Sequence, residues 1–335
     1  GWKSNVTIKR CTTVILDVDI NVQLYSLVVW GTLLIENRPN ALVTLRSTCI
    51  NIKCVDKGDG GASEWGSSPA RRGQCGQVLA GTPTQPFLGT LEVLLSGDEL
   101  TESHQCGGLK GKFFEIESGA FLGLYGNHPG SMWSRLRKTA EAGSLTLYVQ
   151  GQMDWEAGDQ VIVGTSGKDA TETEWTTLWA KRLVPAPGGG WDTEINVVQP
   201  LKYRHIAVTE THGQHQLDMR SEVGLFMRPS NVAKRIMKPS IRIAGVDNHH
   251  WDFRFRTMAK SLLGLLVVAQ PGSNVTMRGV RLEDGGTHKP GLVAIRENLK
   301  VVPMVRCFGH CDVQSCVLTA RRGHGIEAFS GVIAH

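Results

Sequence analysis

Apolar residues recur along this chain in short runs that alternate with polar ones and stop at glycine, with no helical period long enough to continue. Ser144-Leu-Thr-Leu-Tyr-Val149 alternates like a strand with one buried face, and residues 160–163 follow the Ala157-Gly158-Asp159 turn as another. Residues 13–17, 24–30, 32–35, 41–45 and 91–95 also read as strands. Gly31, Gly89 and Gly97 stand at their joints, where sharp corners suit a residue tolerant of positive φ. After Arg228 the pattern changes: residues 240–244, 273–282, 311–319 and 325–333 set single aliphatics at alternate positions. Val313 and Val332, nineteen positions apart, suggest the period of one wound β coil. Only residues 132–142 offer a helix candidate. The pattern predicts an all-β chain, with a β domain over 1–228 that runs into parallel β-helix coils over 229–335.

A chain of 335 residues exceeds the usual size of one core, but a solenoid packs each coil only on its neighbours. The 39 glycines and 13 prolines among recurrent Val, Leu and Ile argue for tight turns rather than disorder. A net charge of +5, mostly interleaved with acids, does not indicate a nucleic-acid protein. One stretch holds bases without acids: Arg228, Lys234, Arg235, Lys238 and Arg242. It is a candidate polyanion-binding patch, weighed against the plainer role of a solvated edge. No stretch reaches the roughly twenty consecutive apolar residues of a membrane span, and residues 261–270 suit a buried strand. The chain opens on strand-like sequence without a signal peptide, so a removed leader or an excised part of a longer protein is expected.

The eight cysteines are Cys11, Cys49, Cys54, Cys75, Cys106, Cys307, Cys311 and Cys316. Their even number favours disulfides and an oxidising compartment. Cys54 and Cys75 bracket a Gly-, Ser- and Arg-rich loop with too little apolar content to hold itself, so a bond across its base is the natural clamp. Cys307, Cys311 and Cys316 with His310 lack paired Cys-x-x-Cys knuckles, which disfavours zinc. Asn5-Val-Thr7 and Asn274-Val-Thr276 are N-glycosylation sequons.

Carboxylate pairs for glycoside hydrolysis can be nominated at Glu283 and Asp284, Asp218 and Glu222, or Asp154 and Asp159, none better placed than the others. Asp218, Arg220 and Glu222 alternate along one strand face, where an internal ion pair is the plainer role. Arg321, Arg322 and His324 are the nearest approach to a lyase centre. Trp251, Phe253 and Phe255 suit one face of a packed strand better than a sugar platform. No phosphate loop, nucleophile elbow or dinucleotide fingerprint is present, so no catalytic residue, metal or cofactor is assigned.

Segments including Ser26-Leu-Val-Val-Trp-Gly-Thr-Leu-Leu-Ile-Glu-Asn37, Pro86-Phe-Leu-Gly-Thr-Leu-Glu-Val-Leu-Leu-Ser-Gly97, Pro200-Leu-Lys-Tyr-Arg-His205 and Asp218-Met-Arg-Ser-Glu-Val-Gly-Leu-Phe-Met-Arg228 resemble, in order and spacing, the eight-glycine domain family. That resemblance implies an extracellular protein with right-handed parallel β-helix repeats after the domain, as in fibrocystin-like receptors and hyaluronan-depolymerising proteins. The depolymerising branch carries an inserted globular domain after the tryptophan segment and His-x-His arrangements. Trp133 leads directly toward residues 144–149, and His249-His250 does not match. The expectation is therefore a secreted or cell-surface, non-catalytic, disulfide-clamped glycoprotein module used for scaffolding or adhesion, with matrix or surface components as partners. A glycan-depolymerising enzyme or a glycan-binding module is the alternative. The uncapped last segment, Ser330-Gly-Val-Ile-Ala-His335, suggests continuation of the chain or head-to-tail pairing with itself.

Overall fold

The computed structural model describes residues 4–18, 21–54, 75–97, 112–128, 130–167, 169–228, 239–246, 249–252, 257–260, 264–285, 303–320, 325–329 and 332–334. The chain forms two compact units. Unit 1 combines Gly1–Asn127 with Ser240–His335, and unit 2 is His128–Pro239. The division therefore does not fall at 228/229, because strands after Ser240 pair with strands before Asn127. Residues 128–239 interrupt one body instead of ending it.

Unit 1 opens with β1 (Ser4–Ile8) and β2 (Thr13–Leu16), then β3 (Asn21–Val29) and β4 (Thr32–Ile35). Next come β5 (Leu42–Ser47), β6 (Cys49–Ile52) and β7 (Gln77–Ala80), followed by β8 (Thr90–Leu95), β9 (Phe113–Ile116) and β10 (Phe121–Tyr125). Every pairing among them is parallel. Successive strands fall into three ladders in fixed order. The start of β3, β5 and β8 share the first; β1, the end of β3, β6 and β9 share the second; β2, β4, β7 and β10 share the third.

Unit 2 holds β11 (Trp133–Arg135), β12 (Thr146–Val149), β13 (Gln160–Val163), β14 (Glu174–Pro185), β15 (Trp191–Val197), the hairpin β16 (Thr209–His212) and β17 (His215–Asp218), and β18 (Glu222–Met227). Six of these make an antiparallel sheet in the order β11-β18-β13-β14-β15-β12. The sheet closes on itself just past β11: Arg137 N–H donates to Tyr148 O at 2.7 Å, and Gln150 N–H donates to Arg135 O at 2.9 Å. Alternate residues point inward, so Val161, Val163, Leu178, Ile195, Val197, Val223 and Leu225 fill the middle. The helix expected over 132–142 does not form. Trp133–Arg135 pairs with Glu222–Gly224, and that tertiary ladder overrides local propensity. The helical element among the described residues is one 3₁₀ turn, Ala170–Glu172.

The chain returns to unit 1 with β19 (Ile241–Gly245), the hairpin β20 (His249–Asp252) and β21 (Thr257–Lys260), β22 (Leu266–Ala269) and β23 (Asn274–Arg278). Then follow β24 (Val280–Gly285), β25 (Val305–Cys307), β26 (His310–Gln314), β27 (Val317–Ala320), β28 (Ile326–Ala328) and β29 (Val332–Ala334). The three ladders resume without a change of order: β19, β24 and β27 extend the first, β22, β25 and β28 the second, β23, β26 and β29 the third. Two run lengths need correction. Residues 273–282 are two strands broken at Gly279, which has φ +59°, and residues 311–319 are two strands broken at Ser315, with φ +51°. Val332 lies opposite Cys311, and Val313 lies opposite Ala334, so the local period is twenty-one positions, not nineteen.

Inward side chains stack like on like from ladder rung to ladder rung. Leu27, Ile50, Phe114, Val267 and Val305 form one row, Leu33, Val78, Leu122 and Val275 another, and Val43, Leu91, Ile241 and Val280 a third. All are buried in one apolar cluster. Close stacking leaves no room at some corners: a Cβ on Gly126 would overlap the Gly279 carbonyl oxygen.

Candidate functional site

A buried ionisable cluster lies in unit 2. Glu174 starts β14 with its side chain turned inward, and His205, fully buried, reaches it from the segment after β15. His205 Nε2 sits 3.0 Å from Glu174 Oε1 while Nδ1 sits 2.9 Å from Gly164 O. Both ring nitrogens therefore face oxygen acceptors. Glu174 Oε2 also accepts from Lys202 N–H at 2.7 Å, and Oε1 from Tyr203 N–H at 2.9 Å. Burial alone would raise the Glu174 pKa, but these hydrogen bonds outweigh it and hold the carboxyl below its ordinary range. With three donors on the Glu174 carboxylate and both ring nitrogens of His205 engaged, the pair ties the segment after β15 to β13 and β14.

The three nominated carboxylate pairs are each tied up. Asp159 is fully buried and takes a bidentate bond from Arg228, Nε to Oδ1 at 2.8 Å and Nη2 to Oδ2 at 2.9 Å, while Asp154 accepts from Gly130 N–H and Ser131 N–H. Asp218 takes a bidentate bond from Arg220 at 2.8 and 2.6 Å and a third from Arg135 at 2.5 Å, the internal ion pair that the alternation implies. These bonds depress the Asp218 pKa strongly, Arg220 contributing most. Glu283 pairs with Arg242 and with Arg281, and Asp284 turns the chain at φ +54°.

Of the five bases, two are described. Arg228 binds Asp159 and Glu156 in the turn before β13, and Arg242 binds Glu283 and Glu92 on neighbouring strands, acids distant in sequence. The local sequence holds no such acids, so only the fold supplies the compensation. Lys234, Arg235 and Lys238 lie outside the described residues, as do Arg321, Arg322, His324, Phe253 and Phe255. His249, His250 and Trp251 lie on β20, paired antiparallel with β21.

Cys54 and Cys75 are bonded to each other across the base of the long loop, and Gly119, at φ +80°, provides the seat: a Cβ there would stand 2.9 Å from both sulfurs. Cys307 and Cys311 form a second disulfide, which commits two of the thiols weighed for zinc. Cys49 is also disulfide-bonded, Cys11 is exposed, and Cys106 lies outside the described residues. The half-buried Cys316 thiol has Gln314 O and Met277 O within reach as acceptors, and desolvation pushes its pKa up to about 12, which makes it a poor nucleophile. Among the described residues no three His, Cys, Asp or Glu side chains gather to hold a metal ion, and no helix is long and apolar enough to cross a membrane. Asn5 and Asn274 are both exposed; Asn5 Oδ1 accepts from Ser26 Oγ at 2.8 Å, and Asn274 begins β23 after the Gly272 turn.

A feature passed over in the sequence is the set of exposed tryptophans in unit 2, at positions 133, 175, 179 and 191. The signal was present in β14, where Trp175 and Trp179 alternate with buried Glu174, Thr176 and Leu178.

Residues 2–137 match the G8 domain family. The match stops near the start of unit 2, whereas the resemblance read from the sequence continues to Arg228. The chain is 28% identical to fibrocystin-L of Mus musculus over 178 residues, which is 53% of this chain and 4% of that protein. Fibrocystin-L of Homo sapiens is 27% identical over the same length. A G8 domain-containing protein of Dictyostelium discoideum is 28% identical over 154 residues, 46% of this chain and 9% of the relative. The chain thus spans a small fraction of the relatives it matches, and what is similar is a G8 domain sequence on an all-β framework.

Proposed function

We propose that this chain is a non-catalytic structural module of an extracellular protein, with unit 1 wound as a parallel β-helix that serves scaffolding or adhesion. The observation that carries this reading is the unbroken order of three parallel ladders, resumed in register after the interruption between Asn127 and Ser240. Such stacking gives a stiff body whose outer faces are free to vary. Disulfides at Cys54–Cys75 and Cys307–Cys311 support an oxidising compartment, and exposed Asn5 and Asn274 support N-glycosylation. Ion pairing of Asp159, Asp218 and Glu283, one member of each nominated carboxylate pair, favours this reading over glycan cleavage.

Expression behind a secretory leader in mammalian cells tests it. Secreted protein that loses two glycan masses on enzymatic deglycosylation, and leaves labelled hyaluronan at its original length, supports the reading. Intracellular retention with all thiols reduced, or shortening of the polymer, overturns it.

A further inference from the structure

Four neighbouring strands of unit 2 put one register row on their outer face: Trp133 on β11, Gly224 on β18, Ile162 on β13 and Trp175 on β14. Residues directly opposite one another in a ladder project to the same side. Trp133 and Trp175 are 56% and 51% exposed, and Gly224 between them places no side chain on the surface. Trp179, 62% exposed, lies four residues along β14 on the same outer face by strand alternation, at a register shift between Leu178 and Ala180.

The indoles are held. Phe226 meets Trp175 edge to face with ring centroids 4.4 Å apart, and the Arg135 guanidinium lies 5.7 Å from the Trp133 ring. The face also carries hydrogen-bonding groups, since Gln160 and Thr177 lie directly opposite each other two residues along from Ile162 and Trp175. Its charge is balanced locally: Arg135 is matched by Asp218 at 2.5 Å and Glu222 at 3.5 Å.

We propose that this face binds an uncharged polysaccharide chain. Sugar rings present C–H faces that stack on indoles and hydroxyl edges that bond to amides and hydroxyls, and a row of aromatics across a glycine floor offers both. Charge decides the class. A nucleic acid or an anionic glycan needs uncompensated bases beside the rings, and here the guanidinium beside the Trp133 ring is paired with Asp218 and Glu222. The proposal adds a ligand to the extracellular module and does not depend on unit 1 being wound as a helix.

The test is affinity electrophoresis of the full chain in gels containing laminarin, xyloglucan or hydroxyethyl cellulose, with hyaluronan and heparin gels as anionic comparisons. Retardation by at least one uncharged polymer is expected, weakened about tenfold or more by Trp175→Ala and abolished by Trp133→Ala with Trp175→Ala. Far-UV circular dichroism should stay unchanged, and the thermal transition should fall only by the small cost of the lost ring contacts, because both side chains project outward. Trp175→Phe, which keeps a ring, should restore part of the retardation. No retardation by any uncharged polymer, retardation confined to heparin or hyaluronan, or full retention in the double variant overturns the proposal. So does a dimer in light scattering that the double variant dissolves, since the face would then dock protein.

Discussion

Replacing Glu174 by Gln tests the idea that a buried, hydrogen-bonded carboxylate fastens unit 2. The carboxylate takes Lys202 N–H, Tyr203 N–H and His205 Nε2 at 2.7, 2.9 and 3.0 Å. Glutamine offers one oxygen, so its amide must point a donor at a donor, either at Lys202 N–H or at the Tyr203 and His205 side. A buried donor left without its acceptor costs about 1–3 kcal/mol. Because the site is almost closed to water, the upper part of that range applies. An opening free energy lowered by about 2–3 kcal/mol accelerates amide exchange by roughly one and a half to two orders of magnitude. Hydrogen exchange by mass spectrometry, read on peptides from β13 and β14 with β5 and β8 as internal comparison, measures it. The sign with pH is fixed by the depressed Glu174 pKa. Its stabilisation is present above the unfolded carboxyl value of about 4.3 and is lost as pH falls through the lower folded value. The wild type should therefore open faster in acid along this step, and Glu174→Gln should lack it. Acceleration of less than about tenfold at neutral pH, equal to about 1.4 kcal/mol, would refute the reasoning.

Carboxyls with depressed pKa, including Asp154, Glu174, Asp192 and Asp218, lie in unit 2, while burial raises that of Glu115 in unit 1. Between about pH 4 and 2, exchange should therefore rise in unit 2 before unit 1, which peptide-resolved exchange at pH steps would show. Changing Cys54 and Cys75 together to Ser should cost about 3 kcal/mol through the entropy of the released loop, read as a lower urea midpoint. Gly119→Ala should cost about 2–4 kcal/mol, from positive φ plus crowding of the two sulfurs, seen as a drop in the melting temperature of the oxidised protein that shrinks in the double Ser variant.

Strand existence was readable because aliphatic alternation survives any register: residues 160–163 and 32–35 are strands as the pattern implies. What partners what was not readable. Ile241 lies opposite Leu91 across 150 positions, and nothing local in either segment states it. The same holds for charge. Arg228 and Arg242 look uncompensated along the chain because Asp159 and Glu283 arrive through the fold. The helix expected over 132–142 failed for the same reason, since its residues are claimed by β18 and β12. The Cys54–Cys75 clamp, in contrast, rests on the composition of the loop between them, which is local.

The interruption of unit 1 carries its own prediction. Asn127 and Ser240 stand side by side: Ser240 N–H donates to Asn127 O at 2.9 Å, and Asn127 N–H donates to Ser240 Oγ at 2.8 Å. Ser240 Oγ also donates to Phe87 O at 2.7 Å, so the junction is anchored in the ladders themselves. The chain thus leaves and returns at one point, and a few residues suffice to bridge it. If unit 2 unfolds, its 112 residues become a long loop on that junction. Loop closure scales with the logarithm of length, so against a four-residue bridge the added cost to unit 1 is only about 3 kcal/mol. Two consequences follow. Replacing His128–Pro239 by Gly-Ser-Gly-Ser should leave unit 1 folded, with cooperative loss of β circular dichroism on heating. Glu174→Gln should open unit 2 while slowing neither β5 nor β8 exchange and accelerating them by at most about two orders of magnitude. An excised protein without a cooperative transition, or full unfolding of both units together in Glu174→Gln, would mean that the ladders on either side of the interruption depend on what lies between them.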